Sequence, residues 1–289
     1  MHDMNQLPLS VWEGIQSYVW HIFYASTFCF LLELVRPANN HSIISRVRGA
    51  YFWLVYIVIT ATFFAVFNRF WTSMGLHPLI TVKLGWLSAS EYFPLKVLGW
   101  SAAAVTAAMI SEFFYYWFHR LQHSNSFLWR FHAVHHSLRE MNAWNNNHHF
   151  TEEIVRVPFI VLPTSLFLQP DPGYVPAIIY VVLRMQGQFE HSSTKFNLGI
   201  LRYIIADNKY HRIHHSLEHQ HWNKNFGSFT PLWDMIFGTA RFPQKKEWPN
   251  VGLPEICEPK TLSDFLWRPF RKQSLSATRR AYGISLDEG

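Results

Sequence analysis

Thirteen of the seventeen histidines in this 289-residue chain lie between His119 and His221. Eight of them form three clusters: His119 and His123; His132, His135 and His136; His211, His214 and His215. Residues three or four apart share one face of a helix, so each cluster directs its imidazoles into one region of space. Neutral imidazole suits iron, zinc, copper or nickel. So many convergent rings exceed the four ligands of a structural zinc site and fit two metal ions held close together.

The elements that must carry these clusters are apolar helices. Tyr18–Val35, Ala50–Phe67 and Val97–Phe118 are nearly continuous apolar runs, each approaching the ~20 residues that cross a bilayer core as a helix. A fourth apolar region, 154–185, is broken by Pro158, Pro163 and the turn from Gln169 to Gly173. It reads as a helical hairpin, Ile154–Leu168 and Tyr174–Met185, that dips in and returns or crosses with tilt. The expected fold is therefore an all-α integral membrane protein, with about four transmembrane or re-entrant helices and a cytosolic histidine-rich helical cap. Residues 1–110 would hold the first spans, 111–243 the catalytic region and 244–289 a polar, basic tail. The apolar residues of that tail, Leu262, Phe265, Leu266 and Phe270, sit at helical spacing. Either a helix on the membrane surface or a solvated tail fits them. Met1–Gln6 carry no basic segment of the kind that begins a cleavable signal, so the first apolar run reads as a span that stays.

Orientation follows from loop charge. Arg36, Arg46 and Arg48 lie after the first run, whereas Lys83 is the clearest cation after the second. The positive-inside rule places the first linker, and with it all three clusters, on the cytoplasmic side. His149 and His191 flank the hairpin where the chain re-emerges at that same face, which recruits both as candidate ligands. His148 would point elsewhere on a helix and reads as a bystander, while ligation by His219 or His221 is left open. His21, His41 and His77 read as polar residues at the membrane border.

Composition removes other classes. Only 15% of residues are charged, against 49% hydrophobic, where soluble domains average about 25% charged. The net charge of +6 comes without a basic stripe interleaved with aromatics, so a membrane surface explains it better than nucleic acid. Cys29 and Cys257 make neither a disulfide framework nor a Cys-x-x-Cys metal site. The zinc-protease string His-Glu-x-x-His is absent. Paired Glu-x-x-His motifs of soluble di-iron bundles are absent too, since only Glu218-x-x-His221 fits. Glu112, Glu152 and Asp234 read as acceptors for the outer N–H groups of ligand imidazoles. Tyr115, Tyr116, Trp117, Trp129 and Trp144 flank the clusters and are candidates for a channel lining or an aromatic belt. A histidine-rich membrane transporter or a zinc hydrolase fits less well. The first would place ligands within its spans, and the second needs only three protein ligands.

The strings Phe118-His-Arg-Leu-Gln-His123, Phe131-His-Ala-Val-His-His-Ser137, Tyr210-His-Arg-Ile-His-His-Ser216, Asn225-Phe-Gly227 and Trp233-Asp-Met-Ile-Phe-Gly-Thr239 resemble the fatty acid hydroxylase and sterol desaturase superfamily of membrane-embedded di-iron enzymes. The resemblance implies two non-haem irons that use O2 and two electrons to hydroxylate a lipid C–H bond, with lipid or sterol desaturation as the alternative outcome. It implies metal ligation by His119, His123, His132, His135, His136, His191, His211, His214 and His215. His149 matches the histidine of the family's His-Pro-x-Glu string, with Phe150 in place of the proline. Gln186, Gly187 and Gln188 stand where some relatives carry a further histidine. No His-Pro-Gly-Gly haem string is present, which implies a separate electron carrier, a ferredoxin or cytochrome b5 with its reductase.

Overall fold

The computed structural model describes residues 7–75, 82–83, 90–169, 174–254 and 256–271. His77, the 170–173 part of the hairpin turn, and Lys272, Arg279 and Arg280 lie outside the described residues. Three long helices come first: α1 (Leu7–Val35), α2 (Ile43–Ser73) and α3 (Phe93–Ser124). All three are long and apolar enough to cross a membrane. At about 1.5 Å rise per residue, the 32 residues of α3 outrun a ~30 Å hydrocarbon core. Its last turns, which hold His119 and His123, can therefore stand clear of the lipid. Trp20, Tyr24, Leu54 and Leu98 are exposed on these helices, as expected of surfaces that meet acyl chains. The chain is an integral membrane protein.

One residue makes the corner that brings the first two clusters together. Asn125 ends α3 in an extended conformation and its side chain accepts hydrogen bonds from Phe127 and Leu128 N–H at 3.0 and 3.1 Å. It thereby caps α4 (Ser126–His136). The expected hairpin is present with a distortion. α5 (Thr151–Arg156) runs through a π-helical turn at Val157–Val161 into α6 (Leu162–Phe167). Pro158 has no N–H to give to an α-helical ladder, which accounts for the wider turn there. The return arm is α7 (Tyr174–His191), packed against α1 and α3. Residues Val82–Lys83 pair in parallel with Leu168–Gln169, a two-residue ladder among the described residues. Asp207 caps α8 (Asn208–His214), accepting from Tyr210 N–H at 2.9 Å. α9 (Leu232–Ile236) and α10 (Leu262–Trp267) complete the described α-helices.

The C-terminal segment departs from a solvated tail as far as residue 271. Phe265 on α10 is fully buried, stacks on Phe52 at 4.6 Å and packs on Val134. Glu258 accepts from Arg139 N–H at 3.0 Å and pairs with Arg48. Burying one aromatic ring contributes about 1.5–3 kcal/mol, enough to hold a short amphipathic helix on the cap.

Gly49 marks a contact that tolerates no side chain. A Cβ there would lie 2.1 Å from the Trp144 carbonyl oxygen and 2.8 Å from Asn145 Cα, both backbone atoms that cannot swing away. Gly49→Ala is therefore expected to destabilise the protein by about 1–3 kcal/mol or more, despite the better helix propensity of alanine. The thermal midpoint of the purified full-length protein checks this, and an unchanged midpoint would contradict the packing described.

Candidate metal centre

The eight clustered histidines and His191 are all buried and sort into two groups. The first joins His119 and His123 from α3, His132 and His136 from α4, and His214 from α8. The second joins His135 from α4, His191 from the end of α7, and His211 and His215 at α8. Each three-histidine cluster is thus split between groups: in α4 and again at α8, adjacent histidines point to different sides. The groups adjoin where the His136 and His215 rings stack with centroids 4.3 Å apart.

Within each group it is the Nε2 atoms that converge. His119, His132, His136 and His214 make successive Nε2–Nε2 approaches of 2.9, 3.1 and 3.0 Å. His135, His191, His211 and His215 make approaches of 3.1, 3.0 and 3.0 Å. On four of these rings the opposite nitrogen is occupied. Nδ1 of His119 donates to the Phe226 carbonyl at 2.7 Å, His214 to Lys224 at 2.8 Å and His191 to Gly187 at 2.6 Å. His132 donates to Glu152 at 3.2 Å. A ring that donates through Nδ1 and stays neutral carries a bare lone pair on Nε2. Several bare lone pairs about 3 Å apart repel one another unless a cation lies among them. With metal–nitrogen bonds of about 2.1 Å, neighbouring ligands at right angles are about 3.0 Å apart and tetrahedral ones about 3.4 Å. The observed spacings are close enough for the rings of each group to share one metal ion. The residues present fit a pair of metal ions, one per group.

Burial also sets the charge of the rings. It pushes His135, His136, His211 and His215 well below the ordinary histidine range and His214 down to about 3, with neighbouring imidazoles adding to the effect. His132 is lowered by burial as well, against the opposing pull of the Glu152 carboxylate. The rings therefore remain neutral and ready to ligate at pH 7. In metal-free protein this has a pH consequence. The unfolded chain takes up protons below its ordinary value of about 6.5, while the folded state resists. Stability should be fully present above pH 6.5 and fall as pH drops towards the folded value, by about 1.4 kcal/mol per pH unit for each such ring. A thermal midpoint that declines steeply between pH 7 and 5 is the expected result; a flat profile would show that these rings are not held neutral.

His148 and His149 do not lie where helical spacing would put them, and neither joins the two groups. His149 lies outside both groups: its Nδ1 faces Thr151 Oγ1 at 2.7 Å and its Nε2 faces the Leu266 carbonyl at 3.3 Å. His148 instead stacks on His135 at 3.7 Å and meets Glu152 at 3.2 Å. The segment 142–149 is not helical, so successive side chains point to opposite sides and helical spacing misassigns them. His221 lies outside the groups, fully buried between Ser216 Oγ at 2.8 Å and Glu247 at 3.1 Å. His219 is exposed against Trp222.

Of the three carboxylates expected behind the ligands, Glu152 alone meets imidazoles directly. Asp234 accepts from Phe226 and Gly227 N–H at 2.8 Å each and from Tyr210 Oη at 3.0 Å. Glu112 accepts from Ser228 and Phe229 N–H. Both therefore act on the Asn225–Phe229 loop, whose Phe226 carbonyl holds His119. Gly227 is required in that loop, because a Cβ would meet the Thr230 carbonyl oxygen at 2.3 Å. Sequence reasoning missed Glu190, whose carboxylate lies 3.7 Å from His191 Nδ1 and 3.6 Å from His211 Nδ1; its position next to His191 was the available signal. Gln186 and Gln188 turn away from the metal groups, to the Ala206 carbonyl and to Asn146.

A cavity of about 320 Å³ adjoins the second group and is lined by His148, His191 and Glu190 together with residues of α2, α3, α5 and α7. Tyr115 lines it. Tyr116 and Trp117 instead pack on Phe237, Trp129 on His123 and His136, and Trp144 on Phe23.

Residues 104–239 match the sequence profile of the fatty acid hydroxylase family. Among curated proteins, the chain is 31% identical over 150 residues to an ornithine lipid hydroxylase of Rhizobium tropici, covering 52% of this chain and 45% of that protein. It is 31% identical over 140 residues to the alkylglycerol monooxygenase of Homo sapiens, covering 47% and 30%. It is 26% identical over 189 residues to a very-long-chain aldehyde decarbonylase of Oryza sativa subsp. indica, covering 60% and 29%. The chain thus spans less than half the length of these relatives. No solved structure matches it.

Proposed function

Because the chain belongs to the fatty acid hydroxylase and sterol desaturase superfamily, we propose that it is a di-iron lipid oxygenase that hydroxylates a C–H bond. The observation that carries this reading is the pair of adjoining, buried, all-histidine groups with their Nε2 atoms turned inward. His119, His123, His132, His136 and His214 would hold one iron, and His135, His191, His211 and His215 the other. Bound there, iron would supply the activation of O2 and the two-electron oxidation of the C–H bond.

The chain's own residues do the rest. The Phe226, Lys224 and Gly187 carbonyls and the Glu152 carboxylate fix the tautomer and tilt of four ligand rings. Phe226 packs its ring against His119, His123 and His214, and Trp129 covers His123 and His136. These walls keep bulk water from the first group, while the cavity beside His191 presents the substrate carbon to the second. Arg36, Arg46 and Arg48 favour a cytoplasmic site, where a separate carrier, a ferredoxin or cytochrome b5 with its reductase, would deliver two electrons.

The test compares lipid extracts of cells making the wild type with cells making His135→Ala. A lipid heavier by one oxygen and present only with the wild type is expected. A species lighter by two hydrogens would replace hydroxylation by desaturation. Identical extracts, with iron bound and carrier supplied, would refute the oxygenase reading.

A further inference from the structure

The cap carries a cluster of exposed apolar side chains that its own packing does not explain. Ile200 and Ile204, within and just after the short helical turn Gly199–Tyr203, are 82% and 64% exposed, and Ile236 on α9 is 57% exposed. Leu201 and Met235 beside them are exposed as well. Isolated exposed apolar residues are ordinary on a protein surface, whereas a cluster of them marks a contact. The two segments are neighbours. Thr230 Oγ1 donates to the Ile204 carbonyl at 2.7 Å, and Ala206 N–H donates to the Phe229 carbonyl at 3.1 Å, just before α9 begins. Another loop of the same cap exposes Glu218, His219, Gln220 and Asn223 instead, so the apolar surface is local.

The packing of α9 fixes the depth of this patch. Trp233 meets Phe113 edge-on at 5.0 Å, and Phe237 packs on Trp117 at 4.8 Å. Phe113 and Trp117 belong to the last apolar turns of α3, ahead of His119. α9 thus lies against a membrane-spanning helix where Trp117, itself exposed, suits the aromatic belt of a membrane border. The backbone of the turn is ready for such surroundings, where unpaired groups are costly. Leu201 N–H donates to the Leu198 carbonyl at 3.0 Å, and Ile204 and Ile205 N–H both donate to the Leu201 carbonyl at 2.9 Å. Charge agrees. Asp234 is the only acidic residue within 195–206 and 231–240, and it is buried. Lys195 is exposed, where it can meet lipid phosphates.

We propose that the turn 199–204 and α9 sit in the bilayer surface, with Ile200, Ile204 and Ile236 entering the acyl boundary about 5–10 Å deep. The occupant of the patch is the leaflet on the side of the cap, continuous with the lipid around α3. The cap is then seated on the membrane by elements outside its spanning helices. The loop whose Phe226 carbonyl holds His119 is braced between those elements. The contact does not depend on what the metal groups catalyse.

Two measurements test it on full-length protein in phosphatidylcholine nanodiscs. In the first, the wild type is illuminated in discs whose lipid carries a photoactivatable diazirine near the head end of its acyl chain. Peptide mapping should find lipid adducts on 199–204 and 232–237 and none on 218–224. In the second, Ile200→Cys and Ile236→Cys are labelled with an environment-sensitive fluorophore in a Cys257→Ser background, since Cys257 is exposed and Cys29 buried. Each label should lose most of its emission when nitroxide-bearing lipid replaces the plain lipid, while a label at Gln220→Cys keeps it. Adducts absent from both segments, or labels at 200 and 236 as indifferent to the nitroxide as the one at 220, would overturn the proposal. Emission that responds only when a disc holds two chains would assign the patch to a second copy and overturn it equally.

Discussion

His136→Ala should lower bound iron from about two ions per chain to about one and reduce lipid oxidation by at least about 100-fold, the upper end of what outer-shell substitutions cost. The His136 Nε2 atom lies between those of His132 and His214, 3.1 and 3.0 Å away, so its loss opens the first group along its length. The four histidines of the second group keep all their mutual approaches, and one iron should remain. The stacking of His136 on His215 places the damage at the junction of the two groups, which is why activity should fall further than iron content. His149→Ala is the control, because that ring faces Thr151 and Leu266 and should leave about two irons. Elemental analysis of the purified proteins reads both. Two irons in His136→Ala, or one in His149→Ala, would contradict the assignment.

The second large effect concerns stability. Glu33, at the end of α1 and 3% exposed, pairs with Arg46 and accepts from Ala143 N–H at 2.8 Å and Ser193 N–H at 2.7 Å. One carboxylate thereby ties α1 and α2 to the loops beside His148 and His191. Glu33→Ala removes the carboxylate partner of the part-buried Arg46 guanidinium and orphans two backbone donors, at about 1–3 kcal/mol for each donor left unpaired. Adding Arg46→Met should recover the charge part but not the part due to Ala143 and Ser193. The double variant is therefore expected to lie between the wild type and Glu33→Ala in thermal midpoint. A Glu33→Ala midpoint equal to the wild type would show that this carboxylate is not holding the loops.

The histidine groups could be read from the chain because helical spacing converts directly into a shared face, and α4 and α8 are ordinary capped helices. The split of each cluster into two groups was not readable, since it depends on how α3, α4, α7 and α8 meet. The unexpected placement of His148 and His149 arises where the chain is not helical and the helical rule has no hold. Glu112 and Asp234 stand out in sequence as carboxylates near ligands, yet their partners are backbone N–H groups of a loop whose path only the fold defines. The three long apolar runs appear as helices because nothing interrupts them. The packing of the C-terminal segment rests on partners far away in sequence, such as Phe52, which Phe265 meets across 213 positions of chain.

The most direct test of the account is oxidation under labelled oxygen. Cells making the wild type are grown under 18O2, and their lipids are compared with those of His135→Ala cells by mass spectrometry. A lipid that carries the heavy isotope in a new hydroxyl group is expected with the wild type alone. A wild-type-specific lipid whose new oxygen comes from water, or no labelled lipid in iron-loaded cells supplied with an electron carrier, would contradict it.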